Sequence, residues 1–116
     1  MKKILVVDFD GTIVEHAFPE IGELKPGVIE ALTKLQKHYH IVISSCRNNA
    51  YLNNHNKNYH EEMKNFLIKA AIPFDEIDEG DQGKFVAHIY IDDRAIRFKN
   101  NWPEIAAILV QRGIGK

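Results

Sequence analysis

Two carboxylates one residue apart, Asp8 and Asp10, stand where the apolar run Ile4 to Val7 ends. That run is rich in β-branched residues, which suits a strand buried on both faces of a parallel sheet. A side-chain period of two puts both acids on one face as the chain leaves the strand. Carboxylates this close repel, and a hard oxygen-seeking cation such as Mg²⁺ is the usual means of keeping both ionised. Gly11 permits a sharp turn just beyond. Alone, the segment would also suit a solvated acidic turn, but the rest of the chain adds to it. Asp92 and Asp93 close another apolar run, His88 to Ile91, where an acidic pair is costly without a partner. Ser44, Ser45, Cys46 and Arg47 close a third, Ile41 to Ile43, and Lys84 lies just ahead of the His88 run. Phosphoryl transfer needs a nucleophile, a proton donor, a cation and donors for the phosphoryl oxygens, and each has a candidate at a strand end.

The elements that must carry these groups alternate. The first strand is followed by a loop containing Pro19 and Gly22, then by a helix near 26–38 opened by Pro26, with Val28, Ile29, Leu32 and Leu35 on one face. After the second strand, the Asn- and His-rich stretch 48–58 has no apolar period and reads as a loop bordering the site. Met63, Phe66, Leu67, Ala70 and Ala71 mark a helix over 59–71, Pro73 to Ile77 a short edge strand, and Glu79 to Gly83 a polar turn. A last helix opens at Trp102 and Pro103, with Ile105, Ile108 and Leu109 inward and Gly113 placed to end it. This order predicts an α/β fold: a three-layer, Rossmann-like parallel sheet flanked by helices, with ligands at the carboxyl ends of the strands.

Together these residues resemble the haloacid dehalogenase-like (HAD) hydrolase superfamily, which is mostly phosphatases. The likeness runs nearly the whole chain. Its Asp-x-Asp-Gly-Thr motif appears as Asp8 to Thr12, its strand-end hydroxyl as Ser45, its lysine as Lys84 and its acidic pair as Asp92 and Asp93. The first and last are specific; the serine and lysine are weak taken singly, and Ser44 is a plausible substitute for Ser45. The resemblance implies a Mg²⁺-dependent phosphohydrolase in which Asp8 becomes an aspartyl-phosphate and Asp10 acts as general acid and then base. Asp8, the Asp10 main-chain carbonyl and an acid of the Asp92 and Asp93 pair would hold the metal, with Asp93 the first choice. Ser45 would bind a phosphoryl oxygen and Lys84 would offset its charge. Arg47 and Arg94 either bind substrate through their forked donors or pair with the acidic cluster.

Length and composition narrow the setting. At 116 residues, 45% hydrophobic and 27% charged, the chain reads as a single domain over 1–116. Between Thr12 and the first helix there is room for a flap but not for the cap domain often found in the superfamily. An open site of that kind suits a phosphorylated macromolecule or nucleic-acid end, or closure by a partner subunit in a homo-oligomer. A nucleotide or sugar phosphate read by the Asn-rich loop is the other substrate class. A net charge of −1 supplies no strong attraction to nucleic acid or anionic membrane. With one cysteine, no apolar signal segment and no run long enough to span a bilayer, the chain reads as cytoplasmic.

Other chemistries fit less well. Six histidines invite zinc, but His55 and His60 lack the paired spacing of zinc sites, and His16 reads as solvent-exposed. Cys46 and Arg47 are adjacent, whereas a cysteine phosphatase separates the two by five residues; Cys46 reads as a small buried packing residue. The alternative from another class is a non-enzymatic phosphoacceptor domain like the receivers of two-component signalling. Receivers carry the adjacent acidic pair first and the acceptor in mid-chain, the reverse of the order here.

Overall fold

The computed structural model describes residues 1–53 and 57–114. Four strands, β1 (Lys3–Asp8), β2 (Tyr39–Ser44), β3 (Glu76–Ile77) and β4 (Ile89–Ile91), form one all-parallel sheet in the order β3-β2-β1-β4. Three helices, α1 (Val28–Gln36), α2 (Tyr59–Lys69) and α3 (Trp102–Ile114), complete the α/β arrangement. It is compatible with a Rossmann-like fold.

The central strands show why their sequences are apolar without alternation. Leu5, Val6 and Val7 of β1 and Ile41, Val42 and Ile43 of β2 are all buried, so both faces of the middle of the sheet are shielded from water. β1 and β2 pair from Lys3 opposite Tyr39 to Asp8 opposite Ser44, which sets the acid beside a hydroxyl at the strand tips. β3 is the edge strand the sequence implies. It is anchored by Asp75, whose carboxylate accepts the Ile41 N–H at 2.7 Å while its own N–H reaches the Ile41 carbonyl at 2.9 Å.

α1 begins after Gly27, at φ 80°, and is shorter than the expected 26–38 span. Asn58 caps α2, its side-chain oxygen accepting the Glu61 N–H at 2.9 Å, and Ala71 at φ 57° follows the helix end. The expected loop over 48–58 is instead partly ordered by two single 3₁₀ turns, Cys46–Asn48 and Ala50–Leu52, while residues 54–56 lie outside the described residues. Residues 13–25 make the flap, closed by the Glu15 N–H on the Glu23 carbonyl at 2.7 Å and the Lys25 N–H on the Ile13 carbonyl at 2.9 Å. Buried Ile13 and Val14 fasten it to the core, each burial stabilising by roughly 1.5–3 kcal/mol.

One face of the sheet carries the core. Leu5, Val7, Ile41 and Ile43 pack there with Leu32 of α1 and with Met63 and Leu67 of α2. Right-handed crossovers from β1 to β2 to β3 place both helices on that side, and the return from β3 past β2 and β1 to β4 belongs to the other side. That return, residues 78–88, contains no helix. α3 also departs from expectation: Ile105 is buried, but Ile108 and Leu109, placed inward by their spacing, are 38% and 47% exposed. Nor does Gly113 end the helix, which continues to Ile114.

Candidate active site

The carboxyl ends of β1, β2 and β4 meet at one rim of the sheet. Asp8 ends β1, and Asp92 and Asp93 follow β4, which pairs with β1 through Val7 opposite Ile91. Carboxylate oxygens of Asp8, Asp92 and Asp93 all lie within 4.8 Å of one another. Three hard oxygen donors at this spacing match the chemistry of Mg²⁺ or Ca²⁺ rather than of a soft metal. Gly11, at φ 87°, makes the close approach feasible, because a Cβ there would collide with the Asp93 carboxylate.

The crowding has an electrostatic consequence. Burial, followed by the Asp92 charge and then the hydrogen bond and charge of Asp93, pushes Asp8 up to about 7, against a smaller opposing pull from the Phe9 backbone. Without a cation, the strand-tip acid resists ionisation. Thr12 donates its hydroxyl to Asp8 Oδ2 at 3.3 Å, and the Arg94 N–H binds Asp92 Oδ1 at 2.7 Å, so the cluster is also tied to its own loops.

Asp10 goes elsewhere. Its carboxylate does not join the three acids but takes a two-pronged pairing from Arg47, Nε to Oδ2 and Nη2 to Oδ1, both at 2.8 Å. The expectation that period two would bring Asp8 and Asp10 together holds only in that both line the same cleft. β1 stops at Asp8, the backbone turns, and Gly11 N–H bonds the Val14 carbonyl at 2.8 Å. Arg47 is wholly buried, and donates also to the carbonyls of Pro19 at 3.3 Å and Glu20 at 2.8 Å, with Phe18 and Phe9 against its guanidinium. Of the two roles its sequence left open, the acid pairing is the one adopted. Buried this way, it holds Asp10 and the flap together and offers no donor to a substrate.

Ser45 caps the turn after β2, its Oγ accepting the Arg47 N–H at 3.1 Å, which is the local role a strand-end serine also suits. Ser44, its substitute, points its hydroxyl at Asp78 Oδ2 at 3.4 Å. The same turn sends Arg47 inward and Cys46 outward, so Cys46 is exposed on the cleft wall rather than a buried packing residue. Lys84 shares a cavity of about 210 Å³ with Asp8, Ser44 and Asp92, its Nζ 4.9 Å from the centre of the Tyr90 ring. No ion pair from Lys84 to Asp8 occurs among the described residues.

An adjoining cleft of about 470 Å³ is walled by Asp8, Asp10, Ser45, Phe18, His16 and Arg94. His16 is not idle on the surface: its Nε2 lies 2.8 Å from Arg94 Nη2, joining the flap to the segment after β4. The Asn-rich stretch contributes less than expected. Asn48 donates to the Asp78 carbonyl, Asn49 accepts from Tyr51, Asn53 bonds two nearby carbonyls and Asn58 caps α2, so these amides are used on the chain's own backbone. Asp78 was not singled out by sequence, though it follows β3 as Asp8 ends β1. Position at a strand's carboxyl end was the available signal.

No protein-family model and no curated protein matches this chain. Among solved structures it is similar to one described as the conserved protein coded by locus from Bacteroides thetaiotaomicron. The two share 28% identity, with a TM-score of 0.64 over 97% of this chain and 93% of the other.

Proposed function

We propose that the chain is a Mg²⁺-dependent phosphohydrolase of HAD type that works through an aspartyl-phosphate on Asp8. The observation that carries this reading is the grouping of Asp8, Asp92 and Asp93 oxygens within 4.8 Å at the mouth of a solvent-open cleft. Asp8, Asp92 and Asp93 would hold Mg²⁺, with the Asp10 carbonyl as a further ligand. When bound, the ion supplies charge that offsets repulsion between Asp8 and an incoming phosphate.

In the first step an Asp8 oxygen attacks phosphorus in line. The bond from phosphorus to the leaving oxygen breaks, and that oxygen takes a proton from Asp10, which must first gain one from solvent and release one of its two Arg47 bonds. In the second, Asp10 removes a proton from water as its oxygen bonds to phosphorus. The phosphorus–Asp8 bond then breaks, giving inorganic phosphate and the original carboxylate. Arg47 serves as a positioning residue, holding Asp10 at the cleft wall by two parallel bonds. Lys84 and a hydroxyl of the Ser44 and Ser45 pair supply donors for phosphoryl oxygens. An acceptor-only signalling domain has no need of Asp10, and a buried arginine that holds its carboxylate at the cleft wall suits the base of the hydrolytic step.

The short hairpin flap and open cleft suit a phosphomonoester on a nucleotide, sugar or macromolecule end. Release of phosphate from an aryl phosphate, measured with and without Mg²⁺, tests the reading. Asp8→Asn is expected to lose at least about a thousandfold in rate, the scale seen when a nucleophile is removed, with an unchanged circular dichroism spectrum. Turnover by that variant at the parent rate would defeat the mechanism.

A further inference from the structure

Arg94 is a cation among acids that no acid has claimed. It shares the cleft of about 470 Å³ with Asp8, Asp10 and Asp92, yet its guanidinium makes no ion pair among the described residues. Its one side-chain hydrogen bond there runs from Nη2 to His16 Nε2 at 2.8 Å. A guanidinium has only donors, so His16 accepts through an unprotonated nitrogen and takes up none of the arginine's charge. The residue is nonetheless held at both ends, its N–H by Asp92 Oδ1 at 2.7 Å and its guanidinium by the flap histidine. Ordering it for a ligand therefore costs less than ordering an arginine loose in solvent.

The cavity that holds Lys84 and the cleft that holds Arg94 meet at Asp8, Ser44 and Asp92. A phosphoryl group seated at Asp8 thus has Lys84 to one side, and the rest of its molecule has the cleft of Phe18 and Arg94 to enter. That cleft, at about 470 Å³, has the volume of a small-molecule site. We propose that Arg94 binds a second anionic group, a carboxylate or a second phosphate, on a small phosphomonoester. This rests on the reading that phosphate seats at Asp8, and it narrows that reading to substrates with a second anion. A forked guanidinium suits one compact anion of this kind. A polynucleotide needs a row of cations, and Arg94 is the only lysine or arginine in the wall of this cleft among the described residues.

Calorimetric titration of the full chain in Mg²⁺ with benzylphosphonates, whose phosphorus–carbon bond replaces the hydrolysable ester, tests this apart from turnover. The ring carries a carboxylate, a second phosphonomethyl group or a neutral carboxamide, each as the meta and the para isomer. A carboxylate or bisphosphonate isomer is expected to bind at least about tenfold more tightly than its carboxamide counterpart, the scale of a hydrogen bond between charged groups. Which of the two shows the gain identifies the anion. Arg94→Gln should remove that preference. Equal binding of all the compounds by the parent chain, or a preference that survives in Arg94→Gln, would overturn the proposal. A preference lost in Arg94→Gln, in a chain that releases no phosphate from an aryl phosphate, would uphold the anion site and remove the hydrolytic reading alone.

Discussion

At the scale of single residues, two pairings of opposite kind meet in the cleft: like charges gathered at Asp8, and a matched ion pair at Asp10. Because Asp8 is raised from 3.8 to about 7 in the folded chain, the unfolded state releases this proton first as pH rises. Its contribution to stability therefore falls between those two values and stays low above them. In metal-free buffer, Asp8→Asn is expected to gain stability over the parent at about pH 8 but not at about pH 4, and Mg²⁺ should raise the parent's melting temperature chiefly at the higher pH. Urea unfolding checks the first and thermal melts the second; equal Mg²⁺ effects at both would remove the cluster as a metal site. Arg47→Ala leaves Asp10 buried without its partner, a loss of about 3–5 kcal/mol. Arg47→Lys keeps the charge but not the fork and should lower kcat more than it raises KM. Asp8, Asp10 and the Asp92 and Asp93 pair were legible because their residue types sit at strand tips. Arg47's burial was not, since only the tertiary path of the flap decides whether its fork meets an acid or the solvent.

At the scale of elements, the turns decide what the strands present. β1 and β2 were readable from their unbroken apolar runs, and α1 and α2 from apolar residues at helical spacing. Their ends were less so, because Gly27 and Ala71 set boundaries by adopting positive φ, which a pattern of hydrophobicity does not encode. The turn after Gly11 carries the tightest demand. Gly11→Ala forces both a disfavoured φ and a collision with Asp93, so it is expected to cost at least about 1–2 kcal/mol and to weaken Mg²⁺ binding. Calorimetric titration with Mg²⁺ reads the second effect. Asp75, which ties β3 to β2 by accepting the Ile41 N–H on its carboxylate and donating its own N–H to the Ile41 carbonyl, is outside the site, and Asp75→Ala should cost about 1–2 kcal/mol with little change in rate.

At the scale of the whole molecule, composition and strand–helix alternation correctly implied an α/β fold on a parallel sheet. They did not reveal that the crossover from β3 to β4 lacks a helix, nor that α3 leaves Ile108 and Leu109 in solvent. Helical spacing shows which residues share a face but not what that face will meet. Among the described residues no helix is long and apolar enough to cross a membrane. The cleft that holds Asp8 and Asp10 is bordered by His16 and Phe18 of the short flap.

Mass spectrometry of acid-quenched Asp10→Asn during turnover of an aryl phosphate, whose leaving group needs no proton, tests for the aspartyl-phosphate itself. Asp8 should then be phosphorylated but slow to hydrolyse. A phosphoryl group is expected on the peptide containing Asp8, present with Mg²⁺ and absent in metal-free buffer. Sustained phosphate release with no label on Asp8 would contradict it.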